Sequence, residues 1–459
     1  MPSILNSLSL GRLSFDRLRT WLGRRLPRDL LMAKLEQAAQ GDICPICALE
    51  GHARHVWLWS FLWESVNDPD TREEFIEGGG LCRADNWSMV EVARTRIKSS
   101  LGVAIVYEHL AKVTERALGQ GGRAAEPWID IGRWNFNIGQ RCLACSTGRM
   151  AEDRSLRRLT LATAVRRPPQ WLERAFPLCY GHIRQALRGA SVAPVRTALA
   201  MLQKVRIQEL KSAGGPSMVD SDRGPGRLEA SLFPRGAQFA VPERSGGLYM
   251  GAAERCPVCR AMGEREQELL EEGYSPGEGS SPPLLCLGHH VAFSRRYGAL
   301  GEVMRSGRLK DEIRFLDAGA SPHDAASGSG EAEGCPICRR REEAKEEVLR
   351  ARLQEWTGPA GPKDLLCLHH MGRGLAMTSG RERQRLLSDQ RGKLTGLMRE
   401  LGEFIAMHDY RSPRRPQEGP DSPYRRALRF FTSEPALVAP LLGIGGADRF
   451  LPTRTSPSR

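Results

Sequence analysis

A chain of 459 residues with 41% hydrophobic and 6% aromatic content is too long for one growing core, so two or more modest domains are expected. Its net charge of +13 invites acidic partners, but the basic residues are mostly Arg and spread along the whole chain. That pattern favours general composition over a phosphate-binding patch. No run reaches the roughly 18 apolar residues of a membrane span, and no apolar leader with a cleavage site is present, so a cytoplasmic protein without a span is expected.

Residues 1–31 form a basic extension that is partly amphipathic, with Leu18, Trp21 and Leu22 among Arg17, Arg19, Arg24 and Arg25. Met32 directly precedes a helical stretch and is an alternative start. The run Trp57-Leu58-Trp59-Ser60-Phe61-Leu62-Trp63 is too short to span a membrane and reads as a buried helix face.

The 12 cysteines fall into four copies of one pattern. C-x2-C pairs stand at Cys44/Cys47, Cys142/Cys145, Cys256/Cys259 and Cys335/Cys338. Each is followed by a Leu-Cys dipeptide placing Cys82, Cys179, Cys286 and Cys367, and three residues later come Asp85, His182, His289 and His370. A thiolate pair on a knuckle, joined by a Cys/His pair one helical turn apart, is the donor set of a closed, four-coordinate zinc site. Taken in sequence order, each repeat closes its own site across a gap of 34, 33, 26 or 28 residues. The spacing of three selects His289 over His290 and His370 over His369.

Each knuckle leads into a helical segment, clearest over Arg339 to Trp356, and each Leu-Cys opens another. A Gly/Ser/Pro/Arg-rich linker over 213–250 separates repeats one and two (32–212) from repeats three and four with their C-terminal helices (251–451). Further on, Arg383 to His408 reads as a long helix, Arg411 to Ser422 as a polar loop and Tyr424 to Phe431 as a short helix. Residues 452–459 read as a disordered tail. The fold class expected is mainly α: tandem small zinc-stapled helical modules, four repeats in two halves, with little or no β-sheet.

Repeat one leaves its fourth ligand open. Asp85 can bind through oxygen, His52 or His55 can replace it, water can fill an open position, or the site can be empty. Haem attachment is excluded, because Ala48, Ser146, Arg260 and Arg339 follow the pairs where a His is needed. Iron–sulfur ligation and thioredoxin-like chemistry fit the third cysteine and the His less well. No nucleophile elbow, P-loop, H-E-x-x-H or dinucleotide fingerprint is present, so no catalytic residue is assigned. The cluster His408-Asp409-Tyr410-Arg411 reads as a solvated helix end.

Tandem Cys-Pro-x-Cys and Leu-Cys-x-x-His units, the closing segment Glu403 to Arg411, and Ser422-Pro423-Tyr424-Arg425-Arg426-Ala427 together resemble a bacterial Cys/His-rich family of unknown function, over about 32–440. The resemblance implies zinc-type binding and a helical fold, and lends no activity. Asp85 departs from its pattern. The expected role is a metal-binding scaffold or interaction module with a protein partner. The alternatives are a nucleic-acid-binding zinc protein and a zinc-thiolate redox regulator.

Overall fold

The computed structural model describes residues 30–40, 44–119, 129–130, 135–136, 141–163, 178–189, 256–271, 336–357, 365–416, 418–419 and 421–432. The extension before residue 30, the linker 213–250, the break between repeats three and four, and the tail lie outside them. The described residues are mainly helical: α1 (Leu30–Ala39), α2 (Pro45–Ser60), α3 (Pro69–Glu77), α4 (Arg83–Val92), α5 (Leu101–Gly119), α6 (Leu143–Thr163), α7 (Tyr180–Gly189), α8 (Pro257–Glu271), α9 (Pro336–Thr357), α10 (Leu368–Met377), α11 (Gly380–Ala406) and α12 (Pro423–Thr432). Wider π turns extend α2 over Phe61–Ser65 and α4 over Ala93–Ile97. Among the described residues the β content is one two-residue antiparallel pair, β1 (Ile129–Asp130) with β2 (Asn135–Phe136), in which Ile129 faces Phe136.

These residues sort into two compact units. The first holds α1, α2 up to Glu50, α6 from Met150, and α7; its buried apolar side chains include Leu35, Ile46, Leu49, Leu156, Leu159, Ile183 and Leu187. The second holds the remaining described residues and is organised on α5. Val103, Val106, Tyr107, Leu110 and Ala111 of α5 are fully buried, because apolar residues surround that helix on most of its circumference. A chain of aromatic contacts runs through it: Phe61 stacks on Phe75 at 5.3 Å, Phe75 meets Tyr107 edge-on at 6.4 Å, and Tyr107 reaches Phe431 at 5.7 Å.

Against α5 pack α11 and α12. The buried residues of α11 are Leu386, Gln390, Leu394, Leu397, Leu401 and Phe404, a single stripe at steps of three and four with charge on the other face. The Arg391–Glu115 ion pair, 2.7 Å, ties the same two helices at their rim. The expected division into 32–212 and 251–451 therefore does not describe the packing, since α5 from the first stretch shares one core with α11 and α12 from the second. Replacing the fully buried Leu394 with Ala should cost about 2–5 kcal/mol in urea unfolding. Replacing exposed Arg399 should stay within about 0.5 kcal/mol.

Two readings change in detail. The tryptophan run is only half a buried face: Leu58, Phe61 and Leu62 point inward, whereas Trp59 and Trp63 are 37% and 63% exposed and stack on each other at 6.3 Å. Positions 59 and 63 are one turn apart and lie on the side of the helix opposite 58, 61 and 62. The long C-terminal helix spans Gly380–Ala406 rather than Arg383 to His408. Beyond its end Tyr410 is 79% exposed, and His408 Nδ1 lies 3.0 Å from the Phe404 carbonyl, an arrangement that suits a solvated helix end.

Candidate metal centres

Every described ligand pair sits on the first turn of a helix. In the Leu-Cys units the cysteine is the residue before the first helical one, with extended backbone: φ −64°, ψ 162° at Cys82 and φ −65°, ψ 153° at Cys367. Its carbonyl takes the first helical hydrogen bond, from Asn86 N at 3.0 Å, Ile183 N at 2.9 Å and Met371 N at 2.8 Å respectively after Cys82, Cys179 and Cys367. The knuckles are built alike, because Cys44, Cys142 and Cys256 each accept such a bond at 3.0 Å from Ala48, Ser146 and Arg260. Pro45 and Pro257 then occupy the first helical position, where a missing N–H costs nothing. A C-x2-C or C-x2-H spacing thus places both donors at the cap and third positions, whose side chains meet over the helix end. The positive end of the helix dipole favours thiolates there.

What precedes each Leu-Cys fixes its approach. Leu81 and Leu366 are fully buried. Asn86 donates from Nδ2 to the Leu81 carbonyl at 2.7 Å and accepts from the Tyr107 hydroxyl, while the Leu366 N–H donates to Gln390 Oε1 at 2.8 Å. Before Leu81, the end of α3 unwinds through Gly79 and Gly80 at φ 67° and 79°, and the Gly80 N–H returns to the Phe75 carbonyl at 2.8 Å. A side chain at either glycine would be strained.

The pairs do not meet in sequence order. Three tetrads form among the described residues: Cys44, Cys47, Cys179 and His182; Cys82, Asp85, Cys142 and Cys145; and Cys256, Cys259, Cys367 and His370. Each combines the knuckle of one repeat with the Leu-Cys unit of another. The first two tetrads are an exchange between repeats one and two, and the third joins knuckle three to the Leu-Cys of repeat four. The expectation that each repeat closes its own site is thereby overturned. The 22 residues of α9 carry the chain about 33 Å from where they begin, and the Leu-Cys unit of repeat four docks near the far end of that helix. There Leu353, near the end of α9, packs so closely on α10 that a Cβ at Gly374 would lie 3.1 Å from it.

The first tetrad lies wholly in the first unit, and all four of its residues are buried. His182 Nδ1 is 3.4, 3.2 and 3.1 Å from the sulfurs of Cys44, Cys47 and Cys179, and Cys47 Sγ is 3.6 Å from Cys179 Sγ. In the third tetrad His370 Nδ1 is 3.5, 3.4 and 3.2 Å from Cys256, Cys259 and Cys367, with Cys259 and Cys367 sulfurs 3.7 Å apart. In the second, Asp85 Oδ2 takes the imidazole's place, 3.3, 3.1 and 3.2 Å from Cys82, Cys142 and Cys145; the Cys82 and Cys145 sulfurs are 3.6 Å apart. A tetrahedral ion with metal–sulfur bonds of about 2.3 Å has sulfur–sulfur edges of about 3.7 Å and slightly shorter edges to N or O. The donor sets fit such an ion, and the described cysteines are all free of disulfides.

Electrostatics agree with a pocket that draws a cation. Burial works against a charge on His182, yet the thiolates of Cys44 and Cys179 and their hydrogen bonds raise it to about 11. Hydrogen bonds from Cys142 and Cys145 bring Cys82 down to about 2. Burial pushes the Asp85 carboxyl above its usual range, opposed by Arg54.

Behind the ligands stand partners that the sequence pattern did not reveal. His182 Nε2 is 3.1 Å from Glu152 Oε1, both side chains being 1% exposed, and Glu50 lies within the same buried group. A carboxylate on the far nitrogen fixes the ring and strengthens its other nitrogen as a ligand. In sequence, Glu50 and Glu152 show only as acidic residues within the knuckle helices, at different distances from their starts. At Asp85 the partner is Arg54, which donates from Nε at 2.8 Å and Nη2 at 2.6 Å to Oδ1; neither His52 nor His55 joins that tetrad. The tetrad itself uses His370 rather than His369. Cys286, His289, Cys335 and the side chain of Cys338 lie outside the described residues.

The chain matches no family model, no curated protein and no solved structure. No described helix is long and apolar enough to cross a membrane.

Proposed function

We propose that this is a zinc-stapled scaffold that presents a rigid helical surface to a protein partner, with the tetrads as structural sites. The observation that carries it is the repeated meeting of two helix N-termini around three sulfurs and one nitrogen or oxygen at tetrahedral spacing. Thiolate-rich, four-coordinate donor sets with no open vertex favour zinc over harder ions and favour structure over catalysis. Three thiolates also make a bound zinc a weak Lewis acid.

A protein partner is supported by the outward, stacked Trp59 and Trp63, a residue type enriched where interfaces concentrate their binding energy. Nucleic acid is less well supported. Many of the described basic side chains are already paired with carboxylates, as in Arg265–Glu268, Arg350–Glu346, Arg373–Glu346 and Lys393–Asp389, which spends charge that phosphates would need.

Elemental analysis of the purified chain tests the reading: three to four zinc ions per chain are expected, and fewer than two would refute it. Replacing Glu152 with Gln should weaken retention at the His182 site alone, by about 10–100-fold in affinity. A chelator titration that resolves the separate equivalents would measure this.

A further inference from the structure

An aspartate among three thiolates is a poor substitute for imidazole on charge grounds. A divalent ion with three thiolates and a neutral imidazole carries one net negative charge, whereas with a carboxylate it carries two. Asp85 is 1% exposed, so water cannot dilute that extra charge, and burying it without compensation is costly.

Arg54 meets both parts of the difficulty. It lies on α2, 8% exposed, and grips one carboxylate oxygen with two donors while the other oxygen faces the sulfurs. We propose that Arg54 is the positioning residue that makes Asp85 a competent fourth ligand. It cancels the added charge, bringing the site back to the single negative charge that three thiolates and a neutral imidazole leave on a divalent ion, and it fixes which carboxylate oxygen points at the metal. The guanidinium is suited to this because its donors form a rigid planar fork and it is always charged.

Comparison with the His182 site shows the same logic inverted. There the ligand's far atom is a ring nitrogen and its partner is the acceptor Glu152; here the far atom is a carboxylate oxygen and its partner is a donor. The exchange of His for Asp is thus matched by an exchange of carboxylate for guanidinium behind it. On this account the Asp85 tetrad is a built site, not a decayed copy of the others. The inference rests on the zinc reading and adds to it a residue outside the cysteine pattern.

The test uses the full zinc-loaded chain and follows zinc content and the rate of transfer of each equivalent to a chromogenic chelator. Arg54→Gln should accelerate the loss of one equivalent by about 10–100-fold and leave the others unchanged. Arg54→Lys, which keeps the charge and loses the fork, should fall between. Arg54→Gln combined with Asp85→His should restore slow release, because a neutral imidazole needs no cation behind it. Unchanged release of every equivalent from Arg54→Gln would overturn the proposal. So would failure of the double variant to hold that equivalent, since Arg54 would then be needed for packing whatever the ligand. A wild-type chain that carries no zinc would sink the zinc reading itself, an outcome distinct from both.

Discussion

Replacing Cys142 and Cys145 together with Ser should open Cys82 to alkylation under native conditions while Cys179 stays protected. The exchanged tetrads place Cys82 and Asp85 opposite the knuckle that this variant removes, and they place Cys179 and His182 opposite Cys44 and Cys47. Sites closed within each repeat would give the reverse: Cys179 would be freed and Cys82 would remain held. Cys82 is only half-buried, so without a metal its thiol is both accessible and, beside a helix N-terminus, nucleophilic. The mirror variant, Cys44 and Cys47 to Ser, should leave Cys82 protected and release His182 and Cys179. Mass spectrometry after a short pulse of alkylating reagent reads both, and labelling of Cys179 in the first variant would disprove the exchange.

Removal of zinc by a strong chelator should unfold the first unit well before the second. The described part of the first unit rests on two ten-residue helices, α1 and α7, and parts of two longer ones. Helices of that length are marginal alone, and no aromatic side chain is among the buried residues described there. A structural zinc contributes on the order of 10 kcal/mol in small peptides, comparable to the whole stability of many domains. The second unit has α5, its aromatic contacts and the α11 stripe to fall back on. Hydrogen exchange after chelation should therefore show residues 44–50, 150–163 and 178–189 losing protection while α5 and α11 keep most of theirs. Equal loss in both units would contradict the expectation.

The pH dependence has a definite sign. In the metal-free chain His182 is raised to about 11, so the stability it adds is fully present below its unfolded value near 6.5 and fades as pH rises through about 11. Zinc must displace that proton as well as the thiol protons. Uptake at neutral pH should release protons, and retention should weaken as pH falls.

The sequence by itself determined which residues could gather metal, because that depends on local geometry. A cysteine and a donor three residues later, behind a buried leucine or before a proline, are brought together by the first turn of any helix they open. The spacing picked out the residues that the structure brings together, including His370 over its neighbour His369, and the patterning after each knuckle, clearest over Arg339 to Trp356, indicated helices. Which pair faces which is a different kind of fact. It depends on where α9 and its counterparts end, on how closely α10 approaches Leu353, and on the core that α5 shares with α11 and α12, all of which are contacts between residues far apart in the chain. The same holds for Arg54 and Glu152. An arginine 31 residues before Asp85 and a glutamate 30 before His182 have no signature in a pattern of cysteines. Only tertiary packing puts the right hydrogen-bonding type behind Asp85 and His182, a donor behind the carboxylate and an acceptor behind the imidazole, because the buried far atom of each of these ligands needs a partner.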